Sequence, residues 1–372
     1  MKILIVMSGF FPGKKYGGPP VSVDNFCSLM KGECECFIIT HNHDMGELVV
    51  YPDITEGWND RNNAKVLYLS NEDYCYSGFF EIAKDLNPDY IYLQGLFQQC
   101  TFPCLKLAKK LGIKVLLAPR GELCGGAFKK KYKKIPYIAA LRMMGLLNNV
   151  SFQSTSDEET KAISLYLGVS RNRIHLLTNI PSIPKKLPKR EIKQKGNARF
   201  VFISRVVRKK NLLSAINYLK DIQGKAVFDI YGPKEDGIYW QECEESIMQL
   251  PPNITVNYKG ILAHEDIHQT FCQYDAFLFP TFSENYGHVI AEALLTGCIP
   301  IISDQTPWTD MNDFDAGWAV SLDNQDGFIT AIQKVVDLDD VQISQKRANI
   351  NEYLCRKLKL DELRSKYLTV FK

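Results

Sequence analysis

Glu284 and Glu292 stand with seven residues between them in the stretch Ala276-Phe-Leu-Phe-Pro280-Thr-Phe-Ser-Glu284-Asn285-Tyr286-Gly287-His288-Val-Ile-Ala-Glu292. An apolar run ends at Pro280, and a polar loop containing Gly287 follows it. From His288 to about Thr296 the pattern is helical, and Gly297 closes it. The first N–H groups of such a helix lack intrahelical partners and favour negative charge. Two carboxylates at an anion-attracting helix end make sense if they accept hydroxyl groups from a ligand whose own charge lies on the helix. The alternative stays open here: Glu284 as a solvated loop residue, and Glu292 as a first-turn glutamate favoured by the helix dipole.

A second group points the same way. In Phe200-Val-Phe-Ile-Ser204-Arg205-Val-Val-Arg208-Lys209-Lys210-Asn211-Leu212 an apolar run delivers a basic loop to a helix start, an arrangement suited to phosphate. A solvated basic loop is the plainer reading. A third loop, Ser8-Gly9-Phe-Phe-Pro12-Gly13-Lys-Lys-Tyr16-Gly17-Gly18-Pro19-Pro20, lets backbone approach a ligand closely. It lacks Gly-x-Gly-x-x-Gly, so a nicotinamide cofactor is not supported. For the Glu284 and Glu292 stretch a sugar-nucleotide offers both features, with hydroxyls on its hexose and ribose and charge on its diphosphate.

No metal is expected. Asp313-Phe-Asp315 has the spacing of a divalent-ion motif but lies in a turn-rich stretch, where turn-forming aspartate is the better reading. His41, His43, His175, His264 and His268 show no ligand spacing. The eleven cysteines include no Cys-x-x-Cys pair, and reduced, buried thiols are expected.

Positioning these loops requires two α/β domains. Continuous apolar runs at 3–7, 36–40, 65–69, 90–93, 115–118 and 151–154 read as strands buried on both faces of a parallel sheet. Helical segments such as Thr101–Leu111 and Pro136–Leu147 lie between most of them. The rhythm stops at Asn179-Ile-Pro181-Ser-Ile-Pro184-Lys-Lys-Leu-Pro188, which reads as a linker. It resumes with runs at 200–204, 226–231, 254–258, 276–279 and 299–303. The expected domains are residues 1–184 and 185–372, with a last helix at about 361–371 packing across their junction. No apolar stretch approaches the roughly 20 residues that span a bilayer, and the start reads as a buried strand, not a signal peptide. A cytoplasmic location is therefore expected.

The net charge of +3 conceals an asymmetry, with 21 Lys/Arg against 17 Asp/Glu up to residue 180 and 18 against 24 from residue 197 onward. Lys129, Lys130, Lys131, Lys133 and Lys134 form a basic run. It reads either as a solvated helix start or as a contact with anionic lipid on the inner face of the cytoplasmic membrane. No nucleic-acid motif accompanies it.

From Ser283 to Leu294, and on through Gly297-Cys-Ile-Pro-Ile-Ile-Ser303-Asp304-Gln-Thr-Pro307-Trp308 to Gly317-Trp318, the sequence resembles the retaining GT-B glycosyltransferases of family 4. That family carries two glutamates at this spacing. The resemblance implies a GT-B fold of two facing Rossmann-like domains and transfer of a hexose-type sugar from a UDP- or GDP-sugar. Retention of configuration, no metal and no separate cofactor are implied with it. The acceptor would be a glycan or lipid-linked glycan, in bacterial surface polysaccharide or O-antigen synthesis. By the same resemblance Glu284 meets the donor sugar, Glu292 the ribose, and the backbone from Asn285 through Tyr286 and Gly287 to His288 meets sugar and diphosphate. Arg205 and Lys210 hold the diphosphate, with Asn211 where relatives often carry glycine. Gly17 and Gly18 face the diphosphate, and Gly260 and Ile261 cradle the base. Arg120, in Pro119-Arg120-Gly121, matches a subset of the family and is expected near the donor sugar. Gln94 stands where relatives often have histidine and cannot serve as acid or base. Two alternatives are an epimerase acting on sugar-nucleotides and a catalytically silent sugar-nucleotide-binding subunit.

Overall fold

The computed structural model describes residues 1–16, 18–61, 63–124, 131–184 and 186–371. The chain forms two compact units, Met1–Ile180 with Leu360–Lys372, and Pro181–Lys359.

The first unit is built on eight strands: β1 (Lys2–Val6), β2 (Glu35–His41), β3 (Trp58–Arg61), β4 (Ala64–Leu69), β5 (Tyr90–Gln94), β6 (Lys114–Ala118), β7 (Val150–Ser154) and β8 (Ile174–Leu176). Their order is β3-β4-β2-β1-β5-β6-β7-β8, and only β3 runs antiparallel to its neighbour. Alternate residues of one strand serve opposite faces: Leu4 and Val6 enter one core, Ile3 and Ile5 the other. That is why β1 reads as a continuous apolar run. Its helix Gly18–Leu29 accepts Pro19 and Pro20 because both lie in the first turn, where no intrahelical N–H bond is lost. The last helix, Leu360–Val370, belongs to this unit. Its Leu363 and Tyr367, with Phe371 just beyond it, join Phe26 and Tyr92 in the second of the two cores, with the Phe26 and Tyr367 rings 5.1 Å apart.

The second unit carries six parallel strands: β9 (Asn197–Ile203), β10 (Lys225–Tyr231), β11 (Ile254–Gly260), β12 (Ala276–Phe279), β13 (Ile299–Ser303) and β14 (Trp318–Val320). Their order is β11-β10-β9-β12-β13-β14. One core, which includes Phe200, Phe202, Phe277 and Phe279, fills this unit. The linker is fastened to it by Arg190, which donates to the carbonyls of Cys272 (3.1 Å), Tyr274 (2.8 Å) and Thr296. At the sheet edge the Asn312 amide pairs with the backbone of Ala319 on β14, at 2.8 and 3.0 Å, and so satisfies groups that another strand would otherwise seek.

In each sheet the chain adds its early strands on one side of the first and then crosses to the other side, between β1 and β5 and between β9 and β12. Open α/β sheets bind ligands beyond the carboxyl ends of the strands at such a switch point. The three loops singled out above follow β1, β9 and β12.

The helix expected at 136–147 instead spans Lys131–Met143, with Pro136 inside it. It ends earlier because Gly145 takes a left-handed turn at φ 62°. Lys133 and Lys134 lie in its first turn, whereas Lys129 and Lys130 fall outside the described residues, as does Gly17. Among the described residues no helix is long and apolar enough to cross a membrane.

Candidate functional site

The β9 and β12 loops meet at the switch point of the second sheet. Lys209 and Lys210 lie in a single helical turn, Arg208–Lys210, which ends at Asn211 in the left-handed region at φ 57°. Asparagine tolerates that conformation better than most residues, and its side chain donates to the carbonyl of Pro280 at 2.9 Å. The Lys209 carbonyl in turn accepts from Phe282 N (2.9 Å) and Thr281 Oγ1 (3.2 Å). Ser303 Oγ closes the other side on the Thr281 carbonyl at 2.5 Å, and Glu284 N donates to Gln305 O at 3.1 Å. The two loops are therefore one hydrogen-bonded body.

Within that body the Lys210 ammonium pairs with the Glu284 carboxylate. Both side chains are largely buried, 12% and 15% exposed. Burial lowers the Lys210 pKa, and Glu284 acts against that shift. The ammonium also lies 5.4 Å from the centre of the Phe279 ring. Arg205 is more exposed and pairs with Glu235 at 3.1 Å, while Arg208 pairs with Glu242 at 2.9 and 2.5 Å. Arg205, Arg208 and Lys209 are thus open to solvent at the rim, and Lys210 is drawn inside.

The helix His288–Leu295 starts after Gly287, whose φ of 76° is left-handed. A Cβ there would come within 2.8 Å of Ile290 Cδ1. Ahead of the helix, the N–H groups of Asn285, Tyr286 and Gly287 donate to no group among the described residues. Trp308 Nε1 fixes the loop by donating to the Tyr286 carbonyl at 2.5 Å, and the Tyr286 ring stands edge-on to His288 (4.8 Å) and Trp308 (5.4 Å). Glu292, 2% exposed, is buried one turn into the helix, and no side chain among the described residues hydrogen-bonds its carboxyl. Burial pushes its pKa up to about 7. The Tyr286 hydroxyl is likewise buried without a partner among the described residues, and burial together with nearby Glu292 raises its pKa.

Gly260 ends β11 with φ 82° and open space where a Cβ would point, and Ile261 beside it is exposed. Gly232, after β10, was not singled out in the sequence, yet it holds this corner together. Its N–H donates to the Gly260 carbonyl at 2.8 Å, and a Cβ on it would lie 1.9 Å from the Ser204 carbonyl, immediately before Arg205. The signal for it was Tyr231-Gly232-Pro233 directly after a buried strand. Tyr258 donates to the Gly232 carbonyl at 2.9 Å.

Gly18 and Arg120 lie in the first unit. Arg120 follows β6 and sits beside Gln94, the last residue of β5. Asp315 pairs with Lys346 and takes the left-handed φ of 51°. Among the described residues no group of three His, Cys, Asp or Glu side chains is placed to hold a metal.

Two parallel Rossmann-like sheets with this site make the fold that of the GT-B glycosyltransferases. The chain superposes on the crystal structure of Anabaena HepE in complex with UDP and glucose with a TM-score of 0.69 at 13% identity, covering 99% of this chain and 98% of that one. It superposes on WaaG, a glycosyltransferase involved in lipopolysaccharide biosynthesis, with a TM-score of 0.65 at 13% identity over 100% and 99%. Residues 184–354 match the family Glycosyl transferases group 1, which places a domain of that type on the second unit. A Klebsiella pneumoniae protein described as an uncharacterized 41.2 kDa protein in the cps region is 23% identical over 305 residues, 76% of this chain and 78% of the relative. Together these similarities support a GT-B glycosyltransferase.

Proposed function

We propose that the protein transfers a hexose-type sugar from a UDP- or GDP-sugar to a glycan or lipid-linked glycan, with retention at the anomeric carbon. The observation that carries the proposal is the buried Lys210–Glu284 pair at the switch point, flanked by Arg205 and by the unused N–H groups of Asn285, Tyr286 and Gly287. The sequence resemblance supports retention, and the UDP and glucose bound by HepE favour a UDP-sugar. The cps-region relative favours surface polysaccharide synthesis in a bacterium; the location proposed with it is the cytoplasmic face of the membrane.

In this reading Glu284 accepts hydroxyls of the donor sugar and Glu292 those of the ribose. Gly260 and Ile261 border the base. The N–H groups from Asn285 to His288 meet the sugar and diphosphate, and Gly17 and Gly18 meet the diphosphate from the first unit. The bond between the anomeric carbon and the diphosphate breaks with its electron pair going to the leaving group. The acceptor oxygen forms the new bond on the same face, and its proton passes to a leaving phosphate oxygen. Arg205 and Lys210 offset the negative charge that grows on the diphosphate, a contribution specific to the transition state. No protein base is required. Lys133 and Lys134, with Lys129, Lys130 and Lys131, would hold the enzyme to an anionic bilayer bearing a lipid-linked acceptor.

The test is a panel of sugar-nucleotides, with and without chelator, scored for nucleoside diphosphate release and for epimerised donor. Release that persists in chelator is the expected result. Epimerised donor without release would favour the epimerase, and neither product from any donor would favour a silent binding subunit.

A further inference from the structure

Arg120 occupies an unusual setting for a cation. Its partly buried guanidinium makes four hydrogen bonds, all to neutral acceptors. Nε and Nη2 donate to Gln94 Oε1 at 2.8 and 2.5 Å, Nη1 donates to Asn179 Oδ1 at 2.5 Å, and Nη2 donates to Tyr92 Oη at 3.3 Å. Among the described residues no carboxylate pairs with it. The two acids that bond this loop, Glu122 within it and Glu159 on the helix Asp157–Leu167, are committed elsewhere. Glu122 accepts from Leu96 N, Phe97 N and Gln98 Nε2, and the buried Glu159 accepts from Gly121 N at 2.6 Å. Five N–H bonds radiate from a guanidinium, so one on Nη1 has no partner among the described residues.

A second observation is independent of the first. Gln94 is 4% exposed, and its Nε2 is a buried donor with no hydrogen-bond partner among the described residues. An unpaired buried amide and an uncompensated charge each cost free energy that an anion would recover. The arrangement is also held in place. Tyr92 donates to Gln153 Oε1, and Gln153 Nε2 donates to Leu177 O (2.8 Å) and to Tyr367 Oη (3.0 Å) on the last helix. Arg120 itself has a left-handed backbone, φ 55°, a conformation that is strained for a side chain of this kind.

We infer that Arg120, Gln94 and Asn179 form an oxyanion-binding subsite of the first unit, built for a phosphate or carboxylate group on the acceptor. The donor diphosphate already has Arg205 and Lys210 on the second unit, so a second cation without a counter-ion answers a second anion. Assigning that anion to the acceptor rests on the transferase reading, whereas the subsite itself does not.

The test follows the guanidinium resonance of Arg120 in the full chain, assigned by its loss in Arg120→Lys, and needs no turnover. Inorganic phosphate should move it saturably, in the wild type and in Lys210→Met, while sodium chloride at the same ionic strength should not, and UDP should act no more tightly than phosphate. Gln94→Glu supplies the missing carboxylate within the same side-chain shape, so the protein should fold and the phosphate response should vanish. A UDP response at least tenfold tighter than that of phosphate, and lost in Lys210→Met, would give the site to the donor and overturn the acceptor assignment. No saturable response to phosphate, an equal response to chloride, or a response that survives Gln94→Glu would overturn the subsite.

Discussion

Lys210 and Glu284 can be separated from their structural role by a double-mutant cycle. In the donor-free protein each neutralises the other in a largely buried place. Removing one partner of a buried pair costs about 3–5 kcal/mol, because the remaining charge is left uncompensated. Since 12% and 15% of these side chains still meet water, about 2–3 kcal/mol is a better expectation for Lys210→Met or Glu284→Gln. In Glu284→Gln the desolvation of Lys210 loses its counterweight, so its pKa falls further. The double variant leaves no buried charge, so its loss of stability should be smaller than the sum of the singles by about 1–3 kcal/mol. Activity should behave differently. A hydrogen bond from a hydroxyl to a carboxylate is worth about 1.5–3 kcal/mol, so Glu284→Gln should lower kcat/KM by about ten- to a hundredfold. The double variant should be no more active than the weaker single. Urea unfolding of the second unit gives the stability arm, and nucleoside diphosphate release from the best donor gives the other. If activity returned in the double variant in step with stability, or if Glu284→Gln turned over normally, the pair would be scaffolding and the assignment of Glu284 to the donor sugar would be wrong.

Two further outcomes follow from burial and backbone geometry. Burial lifts the Glu292 pKa from 4.5 to about 7, so between those values the folded protein keeps a proton that the unfolded chain has lost. Its contribution to stability is fully present in acid and is lost as pH rises to about 7. The stability of wild type minus Glu292→Gln should therefore fall by about 3 kcal/mol from pH 4.5 to pH 8 in urea titrations, and a flat difference would show that the carboxyl is not desolvated. His41 and His264, both lowered to about 4 mainly by burial, slope the opposite way below pH 6.5 but cancel in that difference. Gly232→Ala should cost about 3 kcal/mol or more and raise KM for the donor although it touches no ligand, because its Cβ would drive into the Ser204 carbonyl ahead of Arg205. A stable variant with an unchanged KM would mean that this corner does not position the basic loop.

The parts of the fold that could be read in the sequence are those where a strand is buried on both faces. β5, β12 and β13 are buried throughout and β1 is buried from Ile3 on, and each carries an apolar run. β3, with Trp58-Asn-Asp-Arg61, and the three-residue β8 and β14 are edge strands that bury little, and so they left no such run. The loops after β1, β9 and β12 were legible for a related reason, since a polar or glycine-rich break directly after a buried run marks a strand's carboxyl end. What binds those loops together was not legible. Lys210 and Glu284 are 74 residues apart, and they meet only because β9 pairs with β12 instead of following the chain order. Arg120 needs still more of the fold, with Gln94 from β5, Gln153 from β7 and Tyr367 from the far end of the chain all in place before its guanidinium is aimed. A basic residue in a loop can be read from sequence, but whether it lacks a counter-ion depends on every neighbour the topology brings to it. In this chain that distinction separates Arg205, which has Glu235, and Lys210, which has Glu284, from Arg120, which has only neutral partners among the described residues.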